Sequence, residues 1–124
     1  MPHVRIEIVK GRTLEHRRRL LQAVHDALVQ AFEIPDDDRI QRLVEHEPEN
    51  FEIPVGSSPD YTLIEITAFP GRSVDAKRNL YSAVVSGLAE LHIEPMDISV
   101  VVHEPTLESW GLRGGLSAAD AHRQ

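Results

Sequence analysis

Position 2 is a proline that directly follows the initiator methionine, and a small second residue favours removal of that methionine. We therefore expect the mature chain to begin with a secondary amine, which is both a base and a nucleophile. A free terminal amine titrates near pH ~8, so an apolar pocket or a cationic neighbour brings it into the working range of acid-base catalysis. The alternative is that Pro2 only begins a strand, where its missing N–H is harmless.

Composition excludes several other chemistries. The chain has no cysteine, which rules out disulfides, thiolate nucleophiles and zinc-thiolate sites. Its 13 Lys and Arg against 20 Asp and Glu give a net charge of −7, which disfavours sequence-independent binding to the phosphates of nucleic acid. No apolar run approaches the length of a membrane span and no signal sequence is evident, so we expect a cytoplasmic protein without membrane contact.

Neither the histidines nor the basic run indicates a ligand site. None of the seven histidines forms a His-x-His or His-Glu-x-x-His motif. We therefore expect no metal and no cofactor. The run Arg17–Arg19 is followed by leucines and flanked by acids, as is typical of a solvated helix face rather than an anion-binding patch.

The two halves of the chain repeat each other. An offset of 60 residues gives ten identities, among them Gly11-Arg12 with Gly71-Arg72, and Pro35 with Pro95. A small shift then aligns the two His-Glu-Pro triplets at 46–48 and 103–105. Two amphipathic helices would share leucines by chance, but not these glycines, prolines and triplets in the same order. The pattern indicates a duplication.

Each half has the pattern of strand, helix and strand. Alternating apolar residues predict strands at 4–8 and 62–68, and weaker strands at 40–45 and 98–102. Thr13 and Ser73 are predicted N-caps of two helices, the second over about 74–91, with Pro35 and Pro95 marking the helix ends. Two prolines, a glycine and two serines between 50 and 60 predict a linker.

Tandem βαβ units with right-handed crossovers predict an α/β, two-layer (α+β) fold, with a four-stranded mixed sheet and two helices on one face. We expect one domain, 1–124, made of repeats at about 1–49 and 61–116 and a C-terminal tail at 117–124. The uncovered sheet face carries Arg5, Glu7, Glu65 and Thr67, and is either solvated or an oligomer contact.

These residues resemble the tautomerase superfamily of 4-oxalocrotonate tautomerase, whose short members are one βαβ unit. The similarity lies in the Met-Pro start, the alternating strand and the Gly-Arg-Thr/Ser that opens a helix, and it extends to about Leu116. Residues 34–41, Ile-Pro-Asp-Asp-Asp-Arg-Ile-Gln, resemble the malonate semialdehyde decarboxylase branch. Residues 109–115, Ser-Trp-Gly-Leu-Arg-Gly-Gly, resemble the aromatic-glycine hairpin of the superfamily.

The resemblance implies roles for individual residues. Pro2 would transfer protons, and Arg72 would bind a substrate carboxylate at the start of its helix, where Arg12 is its duplicate. Asp38 would orient a water or assist the proline, unless it is an ordinary turn residue, and Arg39 would hold it by charge. Trp110 would supply an apolar wall and Arg113 would polarise a carbonyl, although a lone tryptophan is more often core or interface. The resemblance also implies a homotrimer.

One departure bears on the reaction. Phe69 stands where the decarboxylating and dehalogenating members carry a second arginine, and this loss disfavours both reactions. The sequence therefore predicts a cofactor-independent keto-enol tautomerase acting on a small 2-hydroxydienoate or arylpyruvate-type carboxylate. The alternatives are a malonate semialdehyde decarboxylase or hydratase, and a non-catalytic trimer that binds small acids.

Overall fold

The computed structural model describes residues 2–121 of the chain. The first βαβ unit comprises β1 (His3–Val9), α1 (Leu14–Phe32) and β2 (Ile40–His46). The hydroxyl of Thr13 accepts a hydrogen bond from the His16 amide at 3.1 Å, which satisfies one of the free N–H groups at the helix start. The helix ends on Glu33 in the left-handed conformation, two residues before Pro35. The predicted cap and the helix end are both confirmed.

The second unit repeats the first with β3 (Thr62–Thr67), α2 (Val74–Ala89) and β4 (Ile98–His103). Ser73 caps α2 by accepting from the Ala76 amide at 3.0 Å. The helix ends two residues earlier than the sequence predicts. Leu91 and Ile93 are buried, and their amides donate back to the Leu88 carbonyl, so the chain turns into the core instead of continuing as helix.

The four strands form one sheet in the order β2-β1-β3-β4. The pairs within each unit are parallel, and β1 and β3 are antiparallel at the centre, with Ile6 opposite Ile64. Both helices cover one face, and buried apolar side chains such as Ile6, Leu20 and Leu80 form the core between them and the sheet. The predicted two-layer fold with a mixed sheet is confirmed.

The central antiparallel pair creates two equivalent ends of the sheet. We call the end where β1 begins and β3 stops the proline end, formed by Pro2, His3 and residues 68–72. The opposite end, where β3 begins and β1 stops, is the linker end, formed by residues 10–12 and 58–62. Residues 11–20 and 71–80 have the same pattern of buried and exposed positions, which supports the duplication.

The chain after β4 forms a small hairpin, β5 (Gly111–Leu112) with β6 (Leu116–Ser117), and a short helix α3 (Ala118–Ala121). Its tip, Arg113 to Gly115, has three positive φ angles, which two glycines accommodate without strain. Part of the expected tail is thus folded, and residues 122–124 lie outside the described residues. No helix within 2–121 is long and apolar enough to cross a bilayer.

Candidate active site

Pro2 is buried at the start of the central strand. His3 pairs with Ile40 on β2 and with Thr67 on β3. Continuing these registers by one residue places Pro2 between Arg39 and Ala68. The proline therefore lies where β2 and the chain after β3 converge. The predicted removal of Met1 concerns a residue outside the described part of the chain.

Three aromatic rings surround this end, and we call them the aromatic corner: His3, Phe69 and Trp110. The Trp110 ring contacts His3 edge-to-face at a centroid distance of 5.2 Å and Phe69 at 5.0 Å. Trp110 is only 7% exposed, and its indole N–H donates to the Pro105 carbonyl at 3.2 Å. The Trp110 carbonyl accepts from the Ala118 amide, so the C-terminal hairpin holds the ring in place. The Trp110 ring is thus fixed beside the first strand.

His3 shows which charges lie near the proline. Burial, followed by the Arg42 cation, lowers the pKa of His3 below its usual 6.5, whereas the Asp38 carboxylate acts in the opposite direction. His3 is therefore neutral at neutral pH. Asp38 immediately precedes Arg39, which the register places beside Pro2, so it too belongs to this end of the sheet.

Arg72 lies directly before α2 at the same end, three residues after Phe69. One of its terminal nitrogens donates to the Phe32 carbonyl at 2.8 Å, and its guanidinium lies 4.7 Å from the centre of the Phe32 ring. These contacts fix the arginine between the end of α1 and the start of α2. Among residues 2–121 the remaining N–H groups of its guanidinium have no hydrogen-bond partner.

The linker end differs because the linker fills it. The guanidinium of Arg12 donates to the carbonyls of Asp60 and Tyr61, at 2.6 and 3.3 Å, and to the Thr62 hydroxyl at 3.1 Å. The buried Asp97 accepts from the amide and the hydroxyl of Ser58, both at 2.7 Å. Thr62 stands at the position equivalent to Pro2 but in mid-chain, so this end has no terminal amine.

The two ends also have matching aromatic residues. Phe51 follows the 3-10 turn Pro48–Asn50 in the first repeat, as Trp110 follows the 3-10 turn Leu107–Ser109 in the second. Phe51 contacts His46 and Tyr61 at centroid distances of 5.3 and 6.2 Å. An aromatic residue therefore follows the 3-10 turn of both repeats, whereas only the proline end has a proline before its strand.

The structure separates the other two predicted arginines. Arg39 donates to the side chains of Gln41 and Gln22, at 3.0 and 2.9 Å, and is directed toward α1. Arg113 lies at the exposed tip of the hairpin and lines a cavity of about 130 Å³ with Phe69, Leu112, Ala118 and Ala121. Only Arg113 therefore lies against the aromatic corner.

Two residues of this end were not predicted to act there. The sequence analysis assigns no role to His3 and treats Phe69 only as a missing arginine, although their closeness in sequence to Pro2 and Arg72 is a usable signal. A larger open groove of about 690 Å³ between α1 and α2 contains none of the predicted site residues. Within 2–121 no cluster of three or more His, Asp or Glu residues is arranged to hold a metal ion.

The chain is similar to proteins of known family and structure. A family described as "Tautomerase enzyme" matches residues 38–113, and a second family with the same description matches residues 2–58. The chain is 27% identical to the probable tautomerase YrdN of Bacillus subtilis (strain 168), over 89% of both chains. It is 28% identical to FG41 malonate semialdehyde decarboxylase inhibited by 3-bromopropiolate, with 98% and 97% coverage and a TM-score of 0.86. It is 27% identical to Q0 fused 4-OT, a symmetric trimer, with 95% and 97% coverage and a TM-score of 0.83.

Proposed function

Because the chain belongs to the tautomerase superfamily, as a fused member with two βαβ repeats, we propose that it is a cofactor-independent keto-enol tautomerase with Pro2 as its base. The substrate is a small carboxylate with an enol next to it, of the 2-hydroxydienoate or arylpyruvate type. The observation that carries this proposal is the asymmetry of the two sheet ends. One end is filled by the linker, and the other combines a buried proline at the start of the chain with aromatic rings and an arginine.

The reaction requires one proton to leave an oxygen and one to reach a carbon. The neutral amine of Pro2 takes the hydroxyl proton of the enol, and the electron pair moves through the double bond to the carbon. The prolyl ammonium then returns the proton to that carbon and becomes neutral again. Burial of Pro2 favours the uncharged amine, which is the form required of a base at neutral pH.

Arg72 holds the substrate carboxylate in this proposal. Its free N–H groups and the amides at the start of α2 are both favourable to an anion. The contact with Phe32 fixes the guanidinium before substrate arrives, so little conformational freedom is lost on binding. Trp110 excludes water, Asp38 assists the proline, and Arg113 polarises the carbonyl of the keto form. Arg39 acts on substrate only after leaving its glutamine partners.

We propose a homotrimer as the working assembly. The similar Q0 fused 4-OT is a symmetric trimer. In this chain the face of the sheet opposite the helices is uncovered and carries both charged and apolar side chains, including Ile40 and Val101, which are about 40% exposed. Sedimentation equilibrium should give three times the chain mass. A monomer mass at micromolar concentration would contradict the trimer.

Intact-mass spectrometry of the natural protein is the first test of the catalytic proposal. The mass should correspond to a chain that begins with Pro2, and retained methionine would exclude the proline amine as the base. Ketonisation of phenylenolpyruvate by the Pro2→Ala and Arg72→Ala variants follows. Each should reduce kcat/KM by about 100-fold or more. Arg78→Ala, on the exposed face of the same helix, is the matched control and should retain activity.

The second candidate is a malonate semialdehyde decarboxylase or hydratase. The similarity to FG41 malonate semialdehyde decarboxylase and the Asp38-Arg39 pair favour it. Phe69 disfavours it, because an apolar ring cannot stabilise a second negative charge. Carbon dioxide release from malonate semialdehyde that exceeds the rate of ketonisation would establish this candidate instead. Specific binding of small acids without any turnover would establish the non-catalytic trimer.

A further inference from the structure

The cavity next to the aromatic corner indicates which member of the proposed substrate class fits. It is lined by Phe69, Leu112, Ala118 and Ala121, with Arg113 at its exposed rim, and holds about 130 Å³. Four of the five lining residues are thus apolar. A phenyl-sized group fits this volume, whereas a carboxylate placed there would lose hydration and gain only the exposed Arg113 as a partner, which contributes little.

Phe69 connects this cavity to the proline end, because it lines the cavity and also belongs to the aromatic corner. Phe69 immediately follows Ala68, which the register places opposite Pro2, and the Phe69 ring contacts Trp110. Arg72 follows three residues later. A substrate whose carboxylate binds Arg72 and whose reacting carbon faces Pro2 therefore has its remaining arm next to Phe69.

We infer that this cavity is a side-arm subsite that selects monocarboxylates with a flat apolar arm, such as an aryl group, over dicarboxylates, and that Phe69 determines the selection. Turnover of such substrates rests on the proposed function, whereas their binding in the cavity does not. The Phe69 ring contacts the arm edge-to-face, as it contacts Trp110. The Arg113 guanidinium covers the exposed side of the arm, where a cation over a ring is favourable.

Binding of unreactive acids tests the subsite without any turnover. Trp110 is the only tryptophan in the sequence and lies at the corner, so its fluorescence reports this end alone. Wild-type protein should bind 3-phenylpropanoate about tenfold or more tighter than glutarate, which has a second carboxylate in place of the ring. Equal or tighter binding of glutarate would overturn the inference.

Variants at position 69 test whether the Phe69 ring determines the preference for 3-phenylpropanoate over glutarate. Phe69→Ala should weaken 3-phenylpropanoate binding about tenfold, and Phe69→Arg should reverse the preference in favour of glutarate. Phe51→Ala is the matched control, because it removes the same side chain from the equivalent corner of the linker end. Unchanged binding by a folded Phe69→Ala protein would refute the role of the ring, with folding checked by thermal melting. A preference for glutarate that is lost in Arg113→Ala would show a dicarboxylate subsite instead.

Turnover separates failure of this inference from failure of the proposed function. Phenylenolpyruvate should have a higher kcat/KM than the dicarboxylate 2-hydroxymuconate. Turnover of both with 2-hydroxymuconate preferred refutes the subsite and leaves the tautomerase proposal intact. Selective binding of 3-phenylpropanoate without turnover of either refutes the tautomerase proposal and leaves the subsite intact.

Discussion

The two helix-start arginines should respond oppositely when each is replaced by alanine. Arg12 binds the linker through three hydrogen bonds to residues 60–62. Arg72 makes one hydrogen bond and one ring contact, both with Phe32. Both side chains are partly buried. We therefore expect Arg12→Ala to affect mainly stability, and Arg72→Ala to affect mainly catalysis.

The magnitudes follow from these contacts. Hydrogen bonds to a charged group contribute about 1.5–3 kcal/mol each. The Arg12–Tyr61 bond is long, and two other Arg12 nitrogens are buried without a partner, which offsets part of the gain. The net loss for Arg12→Ala is therefore about 2–3 kcal/mol, which lowers the Tm of a chain of this size by about 8–12 °C. Arg72→Ala should lose about 1 kcal/mol and about 4 °C.

The assay combines thermal melting, at one protein concentration for all variants, with kcat/KM for phenylenolpyruvate. Arg12→Ala should stay within about threefold of the wild-type kcat/KM below its melting range, whereas Arg72→Ala should lose about 100-fold, or about 2.7 kcal/mol of transition-state stabilisation. An Arg12→Ala protein that melts like wild type and loses activity would contradict these assignments. That result would place the anion site at the linker end.

Three further predictions concern single side chains. Burial, and then Arg12, lower the pKa of His16 below 6.5, so the unfolded chain takes up a proton first as the pH falls. The free energy of unfolding should therefore drop as the pH falls below about 7.5, and His16→Gln should reduce that drop in urea titrations. An equal drop in the variant would exclude His16 as a cause. Gly87→Ala should raise the free energy of unfolding by about 0.5–1 kcal/mol, because alanine favours the helix over glycine. The added methyl would meet the Ala23 side chain at an ordinary 3.5 Å. Destabilisation would show that the two helices cannot accommodate this methyl. Trp110→Phe should lower the free energy of unfolding in urea by about 1 kcal/mol, because the Pro105 carbonyl loses its donor. An unchanged free energy of unfolding would mean that water replaces the indole N–H.

The sequence determined the elements and their order, because each depends on residues close in the chain. Alternating Val4, Ile6 and Ile8 predict a strand with one buried face, and Thr13 and Ser73 cap helices through hydrogen bonds to amides three residues on. The repeat then implies that both halves build one sheet. The resemblance to the superfamily was also visible in these local motifs, and the family matches confirm it.

Only the tertiary structure decided which residues meet at the ends of the sheet. Arg12 and Arg72 have similar local sequences, yet Arg12 donates to two linker carbonyls and the Thr62 hydroxyl, 48–50 residues away, whereas Arg72 donates to the end of α1. Arg39 is adjacent to Asp38 in sequence but is directed to Gln22. Phe69 and Trp110 are 41 positions apart and become neighbours through the C-terminal hairpin. Local periodicity reports which face of an element is apolar, whereas the direction of a long polar side chain depends on partners that only folding brings within reach.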